Sequence, residues 1–215
     1  MTKQESTSDT KARLLDAALT EFVEHGYDGA STAGIAERAG VAKALVFHHF
    51  DSKDALFLAV AERVVERARG EYEKVLRETP PDLLARVLAW TERKFAMFRE
   101  DPREVRFLVF TQLSAPKHLR DDVRKRLAEI TRDDTQRLVE GMDASRLKVS
   151  PQEAVDALET VALGLEQRLY GMSSARSVAQ IEALSKQARA MLELIAKAVY
   201  RKEPKGKGHK RRDED

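Results

Sequence analysis

The chain has no cysteine, few aromatic residues and no long apolar run. Lack of cysteine excludes disulfides, a thiolate nucleophile and any cysteine-based metal site. No stretch of about 18 apolar residues occurs, which argues against a membrane-spanning helix. The opening residues, MTKQESTSDTK, are polar and lack the apolar core of a secretory leader, so the expected location is cytoplasmic. Proline and glycine are sparse, with six and ten in 215 residues, and fall mainly between periodic segments. No β-alternating segment and no internal repeat is evident. Charge is abundant, at 34% of residues, but nearly balanced, with a net +2. The length allows one or two domains.

Apolar residues recur at helical spacing through almost the whole chain, so the fold class expected is all-α with nine helices. The first spans about 10–25, turns Leu14, Leu15, Ala18, Phe22 and Val23 inward and ends at Gly26. Two short helices follow, then one over about 52–78, which Pro80-Pro81 terminates. Five more are predicted over about 82–99, 101–114, 117–142, 151–172 and 177–201. Asp101-Pro102-Arg103-Glu104 and Ser150-Pro151-Gln152-Glu153 have the form of capping boxes with proline at the first helical position, and Ser177 to Gln180 is a third candidate start.

The stretch from Ser31 to Ala55, STAGIAERAGVAKALVFHHFDSKDA, is the most informative. Thr32 is the N-cap candidate of its first helix, whose inner face is Ile35, Ala36 and Ala39. Gly40 can end that helix in the left-handed conformation. A second helix is expected from Val41 to Phe50. Two short helices about a glycine turn form a helix-turn-helix, whose second helix enters the DNA major groove. The run Thr32-x-x-Ile35-Ala36-x-x-Ala39-Gly40-Val41-x-Lys43, then Phe47-His48-His49-Phe50-x-Ser52-Lys53-x-x-Leu56, resembles the DNA-binding domain of the TetR family of bacterial regulators. The resemblance covers roughly residues 10–57. It implies an N-terminal three-helix DNA-binding domain followed by a helical ligand-binding and dimerisation domain. The expected division is 1–53, 54–201 and a charged, disordered tail over 202–215.

The resemblance further implies a homodimer on a palindromic operator, released by a small-molecule effector, with repression as the output. Ala42, Lys43, Ala44 and Leu45 stand where base edges are nearest. Lys43 can reach a guanine or a phosphate, and Leu45 offers an apolar contact. Thr32, Phe47, His48 and Lys53 flank the DNA backbone. The family usually has threonine where Leu45 stands and tyrosine where Phe47 stands. Residues 1–53 hold six Lys/Arg against eight Asp/Glu, a formal −2. Binding would therefore rest on a few placed cations (Lys43, Lys53, Arg13), on His48 and on helix N-termini facing phosphates.

In the second half, the helix over 151–172 carries Val155, Leu158, Ala162, Leu165 and Leu169 on one face. Small residues, Ala157, Thr160, Gly164 and Gly171, lie on another. The helix over 177–201 carries Ile181, Leu184, Ala188, Met191, Ile195 and Val199. This eighth and ninth pair is the expected dimer interface. On the fifth helix, Lys94 falls inside an apolar sector near Val87 and Trp90. It either pairs with Glu166 or snorkels, or it supplies a polar group to an effector pocket. Trp90, Phe98, Phe107, Phe110 and Leu113 would line that pocket, with Glu166 and Tyr170 opposite. Adjacent His48 and His49 point about 100° apart on a helix and cannot share a metal on one face. No metal, no cofactor and no catalytic set is expected. The alternative function is a helical scaffold or ligand-binding protein of the same fold without specific DNA binding.

Overall fold

The computed structural model describes residues 3–113, 115–131, 134–170 and 178–201, without the side chains of 3–8, 109–110, 112–113, 126–127, 129–131, 134–135, 163, 165–170 and 178. The tail over 202–215, Ser177 and Gly171 lie outside the described residues. Among these residues the secondary structure is ten α-helices, one 3-10 turn and a single antiparallel bridge between Leu147 and Tyr200. They are α1 (Lys3–Gly29), α2 (Thr32–Ala39), α3 (Lys43–His49), α4 (Lys53–Glu78), α5 (Leu83–Glu100), α6 (Pro102–Leu113), α7 (Arg120–Thr131), α8 (Asp134–Val139), α9 (Pro151–Tyr170) and α10 (Val178–Val199). No helix among the described residues is long and apolar enough to cross a membrane.

The segment expected as one helix over 117–142 is described as α7 and α8, on either side of residues 132–133, which lie outside the described residues. α8 stops where Arg86, buried on α5, donates through Nη1 to the carbonyls of Arg137, Leu138 and Glu140 at 3.1, 2.8 and 2.8 Å. A guanidinium that satisfies the last carbonyls of a helix acts as its C-terminal cap. Gly26 interrupts α1 with φ 68° and ψ −178°, backbone that glycine adopts without a Cβ penalty. The chain then makes one further turn to Gly29.

Two expected starts are corrected. Ser31, not Thr32, caps α2: its hydroxyl accepts from the Gly34 N–H at 2.9 Å, and Thr32 is already helical. α3 begins at Lys43 rather than Val41, because Gly40 and Val41 donate back to Glu37 and Ala36 and Ala42 is extended. The Ser150 box forms as expected. Glu153 accepts from the Ser150 N–H at 2.9 Å, and the Glu153 N–H returns to the Ser150 hydroxyl at 3.3 Å. The Asp101 box does not close. Asp101 accepts from the Arg103 N–H, but Glu104 turns away to Arg67 of α4 at 2.8 Å.

Three apolar clusters make the core. The first joins α1, α2, α3 and the first half of α4 (Leu14, Phe22, Ile35, Val46, Phe57, Val60) to Phe107, Leu119 and Val123. The second gathers Tyr72, Leu83, Val87, Leu158 and Leu192, and the third Phe95, Phe98, Val105, Ile181, Leu184 and Ala188. α4 thus runs from the first cluster into the second. α10 packs on α9 and α5 through Ile181, Leu184, Ala188, Leu192, Ala196 and Val199. Met191, expected on this buried stripe, is 40% exposed, because the four-residue step from Ala188 lands on Leu192.

Candidate DNA-binding interface

α3 is short and held at few points. Val46 and Phe50 are buried, and His49 is half-buried. Burial, then the neighbouring His48 and Lys11, hold the His49 imidazole below its ordinary value, which favours its neutral form. The opposite face is open. Ala42, Lys43, Ala44, Leu45, Phe47 and His48 are all exposed, Leu45 at 36% and Phe47 at 51%. Six of the eight predicted DNA-contacting residues therefore form one contiguous outward surface. Thr32 is half-buried at the first residue of α2.

Lys53 is engaged elsewhere. Its ammonium donates to the carbonyls of Tyr27 and Ala30 at 2.8 and 3.2 Å and lies 4.3 Å from the centroid of the Tyr27 ring. It ties the end of α1 to the start of α4. Arg13 is also spent, on the carbonyls of Ala39 and Gly40 at the end of α2. The start of α2, expected to face a phosphate, already has an anion. Glu21 is buried on α1, and its carboxylate accepts from the Ser31 N–H at 3.5 Å and lies 3.7 Å from Arg38. A Cβ on Gly34 would stand 2.6 Å from this carboxylate, so glycine is what lets Glu21 approach.

The unit is coupled to the remaining helices by contacts that no local pattern announces. Phe107 of α6 lies 5.1 Å from Phe57 and 6.2 Å from Phe22, ring centre to ring centre. The Tyr27 hydroxyl donates to Asp54, and His118, between α6 and α7, approaches the other Asp54 oxygen at 3.2 Å. Burial, then the Asp54 carboxylate and Asp28, push the Tyr27 phenol well above its ordinary value. Arg103, at the start of α6, donates to Thr20 at 2.7 Å and Asp16 at 3.0 Å on α1, and to Asp101 at 2.7 Å. Burial works against the Asp101 carboxylate, but the Arg103 side chain and N–H outweigh it and leave the carboxyl below its ordinary value.

The predicted effector residues are distributed. Trp90 packs against the second cluster, 5.1 Å from Tyr72, with the Lys94 ammonium 5.1 Å above its ring. Phe98 belongs to the third cluster and Phe107 to the first. The side chains of Phe110, Leu113, Glu166 and Tyr170 lie outside the described residues. Thr91, which no local pattern marks out, is 5% exposed on α5, and its hydroxyl has no hydrogen-bond partner among the described residues.

Residues 14–60 match the model of the bacterial regulatory proteins of the tetR family. The transcriptional activator FasR of Mycolicibacterium smegmatis is 36% identical over 100 residues, 46% of this chain and 45% of FasR. The chain spans less than half the length of FasR and of several other curated relatives that it matches. Among solved structures, SmeT, the repressor of the Stenotrophomonas maltophilia multidrug efflux pump SmeDEF, is similar with a TM-score of 0.67 at 21% identity, over 90% of this chain and 93% of SmeT. FadR of Bacillus subtilis in complex with stearoyl-CoA is similar with a TM-score of 0.66 at 18% identity, over 84% of this chain and 96% of FadR. At those identities the likeness concerns the fold. The helix-turn-helix of residues 14–60 thus matches the TetR family of bacterial regulatory proteins in sequence, and the chain as a whole shares its all-helical fold with solved regulators such as SmeT.

Proposed function

We propose that the chain is a homodimeric transcriptional repressor. It binds a palindromic operator through two copies of α3 and is released by a small-molecule effector held among its C-terminal helices. The observation that carries the reading is the open face of α3, where Ala42 to Leu45, Phe47 and His48 project together while Val46 and Phe50 fix the helix from behind. A recognition helix needs such a face.

Two further features support the assembly. On α10, Ala183, Ala190, Met191, Leu194 and Ala198 are exposed and fall within about 80–100° of arc at 100° per residue. On α9, Thr160 and Gly164 are exposed. An apolar strip beside small residues suits close packing against a second copy, and a two-fold axis there gives two recognition helices. An effector among α5, α6, α7 and α9 would act by favouring one arrangement of α4 over another. A tenfold loss of DNA affinity needs about 1.4 kcal/mol of such coupling.

The test is selection of duplexes from a random library by the full-length protein, then gel shift with and without candidate metabolites. Lys43→Ala is expected to cost roughly 1–3 kcal/mol of operator affinity if the ammonium contacts a base. A protein that selects no sequence is the scaffold of the alternative reading.

A further inference from the structure

Leu45 and Phe47 stand out on α3. Neither side chain has a hydrogen-bonding group, both are exposed, and both flank the buried anchor Val46. Elsewhere in the unit the cations whose side chains are described have internal partners. Arg13 is on the Ala39 and Gly40 carbonyls, Lys53 on those of Tyr27 and Ala30, and Arg38 on Glu24 at 2.6 Å. Lys11 lies 6.0 Å from the Phe50 ring centre. Lys43 is left as the lysine on α3, with the two histidines at its far end. This recognition surface is therefore poor in charged donors and rich in apolar area.

The edges of base pairs in the major groove offer donors, acceptors and one apolar group, the 5-methyl of thymine. A leucine and a phenylalanine cannot read the donors and acceptors. They can bury against a methyl, and their own exposed surface gives the free energy for doing so. We infer that Leu45 and Phe47 are specificity-determining residues that read thymine 5-methyl groups, which moves Phe47 from the backbone contact that the resemblance implies to a base contact, so each operator half-site carries thymine opposite them. The inference rests on the DNA-binding reading above and names what that surface recognises.

The probe is the selected operator with each thymine replaced in turn by deoxyuridine. The replacement removes one methyl and leaves every hydrogen-bonding group in place. The expected loss at contacted positions is about fourfold per methyl, the order for one buried methyl-sized group. In Leu45→Ala or Phe47→Ala the same replacement is expected to have no further effect. Both side chains are exposed in the free protein, so melting temperature should stay at the wild-type value and confirm that the variants fold. Deoxyuridine duplexes bound as tightly as thymine duplexes overturn the inference. So does a deoxyuridine penalty that survives in both variants. Failure to select any duplex overturns the DNA-binding reading itself, an outcome distinct from an operator that is bound but indifferent to its methyl groups.

Discussion

Thr91 shows what one atom can reveal. Its hydroxyl is buried on α5 and has no hydrogen-bond partner among the described residues. A buried polar group left unmade costs about 1–3 kcal/mol. Thr91→Val keeps the shape and removes the group, so it is expected to raise the melting temperature by about 2–4 °C, the shift that 1 kcal/mol produces in a chain of this size. If the hydroxyl is a handle for the effector, the same variant binds the effector more weakly, so a stabilised protein that has lost its response to ligand supports that role. Thermal melting and an effector titration read the two effects separately. An unchanged melting temperature would mean that the hydroxyl is satisfied in solution. Lys53 and Arg13 teach a complementary lesson. Each looked like a phosphate contact by position, and each closes the end of a helix.

At the scale of elements, Gly164 on α9 is the most direct probe of assembly. It is exposed, and a Cβ there meets nothing within 4 Å among the described residues of the single chain. Gly164→Leu should therefore leave the monomer fold intact, even favour the helix, and still push a close-packed dimer toward monomer. Sedimentation at low protein concentration, followed by operator binding, checks both consequences. A variant that remains dimeric puts the interface elsewhere. The helix-turn-helix was legible because its signals are local: a cap, a spaced apolar face and a glycine turn within about twenty residues. Where α3 starts was not, since Ala42 has no polar side chain to announce a cap. Where α8 stops was hidden for another reason. Its cap is Arg86, about fifty residues earlier in the chain, and no periodicity carries that information. Aromatic residue type said that Trp90, Phe98 and Phe107 are inside, but not that they serve three different clusters.

For the whole molecule, the decisive contacts are those between α1 and the start of α6. Arg103 holds Asp16, Thr20 and Asp101 together. Because Asp101 sits below its ordinary value in the folded chain, the stability it adds is present above the unfolded value. It is lost as pH falls through the folded one, below about pH 4. Arg103→Ala is expected to lower the melting temperature by about 2–4 °C near neutral pH, equivalent to roughly 1 kcal/mol. Scanned into acid, the gap to wild type should close as the carboxyl protonates. A gap that is constant with pH would assign the loss to packing of the Arg103 stem.

α4 also has a mechanical meaning. Between Tyr72, packed against Trp90, and its first residue, Lys53, the helix is about 28 Å long at 1.5 Å per residue. Taken as a rigid arm pivoting at Tyr72, it carries its far end about 0.5 Å for each degree of tilt. Roughly seven degrees then equal the rise of one base pair, about 3.4 Å. In a two-fold pair both arms swing, so half that angle is enough to put the two reading heads one base step out of register.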